Sequence, residues 1–157
     1  MRLEGVLRVG APPELCLERL RDPSWLRGCL PNLTSLEQTD EGEFTAVFHL
    51  DLSEIARVAD YLARIRVEMR FTYMGAGPAQ VVLRGVGRVV GARVIITISV
   101  DVQPADGGGS LLRWSSDLEL GIIERLLGGE TVRRVAEKQV GALTNCLREV
   151  LGGGPRD

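Results

Sequence analysis

The sequence predicts an α+β fold in which a curved, seven-stranded antiparallel sheet wraps around one long C-terminal helix, with two short helices between the first and second strands. Three observations predict it. Apolar and polar residues alternate with a period of two through most of residues 33–120. Glycine-rich clusters punctuate that stretch at hairpin spacing. From residue 122 the apolar period changes to three- and four-residue steps, which is the helical period.

The elements follow in order. Residues 2–9 alternate, with Leu3, Leu7 and Val9 on one face, Arg2, Glu4 and Arg8 on the other, and Val6 as the exception. Gly10-Ala11-Pro12-Pro13 stops this strand and opens a helix, because proline is tolerated in a helix's first turn. Leu15, Cys16, Leu17 and Leu20 supply the apolar side of that helix. Asp22-Pro23 ends it and starts a second short one carrying Trp25, Leu26 and Leu30, which Pro31-Asn32 breaks. Alternation is then clear over 43–52, 61–74, 92–103 and 110–120, so each strand has one dry and one wet face. Gly75-Ala76-Gly77-Pro78 and Asp106-Gly107-Gly108-Gly109 read as hairpin turns, and Gly91 closes a third. Residues 53–60 are assigned to a helical turn. Ile122, Leu126, Val132, Val135, Ala136, Gln139, Val140, Leu143, Cys146, Leu147, Val150 and Leu151 form one face of a helix over 122–151, about 45 Å long if unbroken. Gly128-Gly129 is the point at which it would kink or break. A sheet of seven twisted strands curves strongly, and only this helix is long enough to cover its concave side.

The 157 residues fit one domain over 1–157, with 152–157 as a flexible tail, and the chain is long enough to bury a core without staples. A net charge of −2 lacks the clustered basic surplus of nucleic-acid binders. Of the 19 basic residues all but Lys138 are arginine. The N-terminal MRLEGVLRVGAPPE has no apolar run of signal-peptide length, and no stretch approaches the ~20 apolar residues of a spanning helix. A cytoplasmic location is the resulting expectation. Cys16, Cys29 and Cys146 are odd in number and lack CxxC spacing, which argues against a disulfide framework or a zinc site and for buried free thiols.

Several short stretches carry a family resemblance. Ala11-Pro12-Pro13-Glu14 leads into the first helix, and Asp22-Pro23, Leu26, Cys29-Leu30-Pro31 and Ser35-Leu36-Glu37 follow. These, with Gly85-Val86-Gly87 and Gly91, resemble the CoxG family, associated with carbon monoxide dehydrogenase, within the START-like, helix-grip SRPBCC superfamily. The resemblance spans nearly the whole chain. It implies an apolar cavity between sheet and helix, a ligand-binding role without cofactors, and service to a molybdenum hydroxylase at the membrane, with a quinone as the molecule handled. Longer members carry a C-terminal extension with a membrane anchor. This sequence stops at Gly152-Gly153-Gly154-Pro155-Arg156-Asp157, so no anchor is expected from these residues and membrane contact is left open.

Combining that cavity with the inner faces assigned by alternation gives a candidate lining. It comprises Phe48, Leu50, Ile65, Met69, Phe71, Tyr73, Leu83, Gly85, Gly87, Ile96, Ile98, Trp114, Ser116, Val135, Gln139 and Leu143. Phe44 and Tyr61 share those faces as core candidates. The strand after Gly85-Val86-Gly87 excludes a dinucleotide fingerprint, which needs a helix there. These glycines either clear inward volume or permit curvature, and both readings stand. Ser116 lies among apolar neighbours, so its hydroxyl needs a partner in the backbone or in a ligand, the backbone being the commoner use. His49, the single histidine, falls on a wet face, which removes support for a Ser-His-Asp triad or a histidine metal site. Asp101, Asp117 and Glu119 also fall on wet phases, leaving no inward carboxylate pair for acid–base work. The leading expectation is a non-catalytic binder of an apolar small molecule, quinone-like or lipid-like. A cyclase- or hydrolase-type enzyme and a ligand-free structural subunit are the alternatives. The cavity expected is about 300–1,000 Å³.

Overall fold

The structure is a computed structural model that describes residues 1–53 and 60–152. The expectations for residues 54–59, for the tail beyond 152 and for the Tyr61 side chain lie outside the described residues. Seven strands form one antiparallel sheet: β1 (Arg2–Val9), β2 (Leu33–Asp40), β3 (Glu43–Asp51), β4 (Arg64–Met74), β5 (Gln80–Val89), β6 (Ala92–Pro104) and β7 (Ser110–Glu119). Their spatial order is β1-β7-β6-β5-β4-β3-β2, so β2 to β7 are a meander and β1 returns to pair with β7. Helices α1 (Pro13–Leu20) and α2 (Pro23–Leu26) join β1 to β2. The Asp22 side chain caps α2 by accepting from the Ser24 amide at 3.0 Å.

One boundary differs from the sequence reading, and the break foreseen at Gly128-Gly129 is present. The strand expected to start at residue 61 starts at Arg64, because Asp60–Ala63 forms a short helix, α3. The Leu52 amide closes it by donating to the Ala63 carbonyl at 2.7 Å, just beyond the last β3–β4 pair, Asp51 with Arg64. The C-terminal helix is broken into α4 (Ile122–Leu127) and α5 (Gly129–Val150). Gly128 between them has φ 87° and ψ 140°, a conformation open essentially to glycine alone. The 22 residues of α5 therefore span about 33 Å instead of 45 Å.

The core falls into two clusters. One gathers Leu7, Val9, Cys16, Leu20, Leu26, Cys29, Val102, Leu112, Leu147 and Leu151 beneath α1, α2 and the C-terminal end of α5. This end is tied by backbone: the Ala11 amide donates to the Leu151 carbonyl at 2.7 Å, and the Ser110 hydroxyl donates to the Ala11 carbonyl at 2.7 Å. The other cluster gathers Phe44, Ala46, Phe48, Leu52, Ile65, Met69, Phe71, Val94 and Ile123 around β3, β4 and α4. Tyr73 packs against both.

The cysteine expectation is corrected. Cys29 and Cys146 form a disulfide between the end of the α2 region and α5, with Cα atoms 5.4 Å apart across 117 residues of sequence. Only Cys16 is a free, buried thiol. Spacing along the chain carries no information about a bridge that tertiary packing assembles. Among the described residues no helix is long and apolar enough to cross a membrane.

Candidate functional site

Between the concave face of the sheet and the N-terminal half of α5 lies a cavity of about 240 Å³. It is somewhat smaller than the lower bound expected from the sequence. Its floor is built by cross-strand neighbours with a common inward phase: Phe48 and Leu50 on β3, Ile65, Met69 and Phe71 on β4, Val94, Ile96 and Ile98 on β6, and Ser116 and Leu118 on β7. Its roof is Val132, Val135, Ala136, Gln139, Val140 and Leu143 of α5, which recur at the three- and four-residue steps of one helix face. Ile123 and Leu127 of α4 close one side, and Leu30 and Pro31 close another.

The structure thus brings together around the cavity the predicted Phe48, Leu50, Ile65, Met69, Phe71, Ile96, Ile98, Ser116, Val135, Gln139 and Leu143. Five predicted positions do not line it, each for a packing reason. A Cβ on Gly85 would stand 2.6 Å from Phe71 Cε1, and one on Gly87 would overlap the Glu68 carbonyl oxygen and stand 2.5 Å from Met69 Sδ. The inward space that Gly85 and Gly87 vacate is therefore occupied by Phe71 and Met69 from β4, which lie across β5 and present their own surfaces to the cavity. Trp114 lies over Gly5 in the same way, 2.7 Å from where a Cβ there would sit. Leu83 packs beside its β4 partner Tyr73.

Tyr73 lies between the two core clusters. Its hydroxyl donates to the Leu20 carbonyl at 2.8 Å, fastening α1 to the sheet. Burial, and secondarily the nearby Asp22 carboxylate, push its phenol far above the usual tyrosine range. A folded-state value above the unfolded one means the contribution is full below about pH 10 and is lost as pH rises through the folded value. Tyr73→Phe should cost about 1 kcal/mol in urea unfolding at pH 7, by leaving a half-buried carbonyl without its donor. It should also remove part of the alkaline decline in stability. An identical decline in parent and variant would show that Tyr73 is not its source.

Sequence reasoning missed the segment Leu30–Asn32, because a loop has no periodicity to assign a face. Here the segment is strapped to α5. The Gln139 amide donates to the Pro31 carbonyl at 3.2 Å, and its oxygen accepts from Asn32 Nδ2 at 2.5 Å. Gln139 therefore spends its polar atoms on this strap while its stem faces the cavity. Asn32 has φ 63°, a left-handed conformation that asparagine tolerates better than most residues. His49 is exposed and contacts Thr34 Oγ1 at 3.0 Å through Nδ1, away from the cavity. Among the described residues no group of three or more His, Cys, Asp or Glu side chains is placed to hold a metal.

A curved antiparallel sheet closed by a C-terminal helix over an apolar hollow is the architecture of a START-like, helix-grip protein. Solved structures agree on the fold. A conserved protein from Geobacillus kaustophilus superposes with a TM-score of 0.78 at 16% identity, covering 96% of this chain and 95% of that one. The ZhuI aromatase/cyclase from a Streptomyces species gives 0.68 at 17% identity, covering 96% and 93%. A START superfamily protein from Mycobacterium smegmatis gives 0.56 at 12% identity, covering 95% and 98%. The CoxG family of carbon monoxide dehydrogenase subunits matches residues 5–152, and the chain belongs to it. No curated protein matches the sequence.

Proposed function

We propose that this protein holds an apolar small molecule, quinone-like or lipid-like, in the sheet–helix cavity without transforming it, as an accessory to a molybdenum hydroxylase of the carbon monoxide dehydrogenase type. One observation carries the reading. Among the described residues that line the cavity, only Ser116 and Gln139 have polar side chains and none is charged. Such a wall favours an apolar guest, since water inside it lacks the two to four partners that hold a buried water. The same composition speaks against the cyclase- or hydrolase-type alternative, which needs a group of suitable pKa within reach of the reacting atoms. The link to a hydroxylase rests on the family alone.

Native mass spectrometry of freshly expressed protein should show a co-purified apolar ligand. Ala136, a small residue on the cavity roof, is the place to block it. Ala136→Phe should fill the hollow, cut ligand occupancy at least about tenfold and leave thermal stability equal or up to about 2 kcal/mol higher. Undiminished occupancy in that variant, or a parent protein that never carries or takes up a ligand, would overturn the proposal.

A further inference from the structure

Ser116 stands apart from the rest of the cavity wall. Its residue is only 8% exposed, and its register neighbours on β1 and β6 are Leu3 and Ile98, both apolar and both facing the cavity. Every fully buried side-chain oxygen or nitrogen among the described residues has a hydrogen-bond partner. The Ser116 hydroxyl has none among the described residues, and the surface it retains faces the cavity. The backbone partner expected from the sequence is absent: among the described residues the hydroxyl bonds to no carbonyl of its own strand or of the flanking β1 and β6. A hydroxyl that opens onto an apolar hollow without a protein partner is costly, and a water placed beside it would find few of the roughly three bonds that buried waters usually make. A guest bearing an oxygen at that point satisfies the hydroxyl as either donor or acceptor.

The position of Ser116 defines how such a guest lies. Leu3, Ser116 and Ile98 form the last cross-strand row that lines the cavity. The next row toward the solid cluster, Gly5, Trp114 and Val100, does not reach it. The hydroxyl therefore marks the end of the cavity that abuts the packed core, and the wall leading away from it is apolar except for Gln139, whose amide is engaged by Pro31 and Asn32. The volume bounds the size of the guest. A dry cavity of about 150 Å³ accepts benzene, and the 240 Å³ here is in proportion to a two-ring aromatic.

We infer that Ser116 is the specificity-determining residue of the cavity, selecting one- or two-ring apolar compounds that carry a single hydroxyl or carbonyl oxygen at the leading end. This rests on the binding function proposed above. The probes are 2-naphthol and 2-methylnaphthalene, near-isosteres that differ in the oxygen, titrated by their own fluorescence into parent protein and Ser116→Ala. In the parent, the ratio of the two dissociation constants should favour the naphthol about fivefold more than in Ser116→Ala, the worth of one net hydrogen bond. Binding of both probes with the same ratio in parent and variant would overturn the role of Ser116 while leaving the cavity's function standing. Failure of the parent to bind either probe would overturn this inference, and if no ligand co-purifies with the parent either, the binding function falls with it.

Discussion

Replacing Cys146 with serine is expected to lower the unfolding free energy by about 2–5 kcal/mol, toward the upper end of that range. The bridge from Cys29 to Cys146 closes a loop across 117 residues of sequence, nearly the whole chain. In the chain-entropy account, a cross-link closing a loop of about 100 residues restricts the unfolded ensemble by roughly 4.7 kcal/mol. It also joins the two regions that flank the cavity. Cys29 precedes Leu30 and Pro31, which line the hollow, and Cys146 lies one turn of α5 beyond the lining residue Leu143. Urea unfolding of the oxidised parent, the reduced parent and Cys146→Ser measures the effect, and the last two should agree. Denatured without reductant, the oxidised protein should expose one titratable thiol, Cys16, and three after reduction. Three thiols before reduction, or unfolding curves that coincide, would show that the bridge does not form.

Gly87→Ala should be nearly as damaging, by about 3 kcal/mol or more, at the top of the range for overpacking. The added methyl would collide with the Glu68 carbonyl oxygen and with Met69 Sδ. The sulfur belongs to a buried side chain, and the oxygen to the main chain of β4, which pairs with β5 throughout this stretch. Relief therefore requires either shifting Met69 into the cavity or separating the central strands. For a chain of this size the loss corresponds to roughly 6–12 °C in melting temperature. Gly77→Ala is the control, since nothing lies within 4 Å of a Cβ there. A Gly87→Ala protein melting within a degree or two of the control would show that the inward space over Gly87 is not filled as described.

These two substitutions mark where the sequence stops being informative. Alternation over 43–52 and 92–103 placed Phe48, Leu50, Ile96 and Ile98 on the inner face, and the cavity lies against them. The helical steps from Val132 to Leu143 likewise identified the roof. The same alternation counted Gly85, Gly87 and Trp114 as wall, because it assigns a face to each residue without saying how far a neighbour's side chain reaches. Leu30 and Pro31 were out of its range, being placed by a disulfide and by hydrogen bonds to Gln139.

Element order, the inward or outward phase of each strand and the apolar stripe of the last helix were determined by the sequence alone. Each is a property of residues two to four positions apart, and covalent geometry makes it local. The Cys29–Cys146 bridge, the filling of the space over Gly85 and Gly87 by Phe71 and Met69, the division between solid core and hollow, and the isolation of the Ser116 hydroxyl were decided only by the tertiary structure. Each depends on which distant side chains meet and in what direction they point, and no local periodicity encodes that.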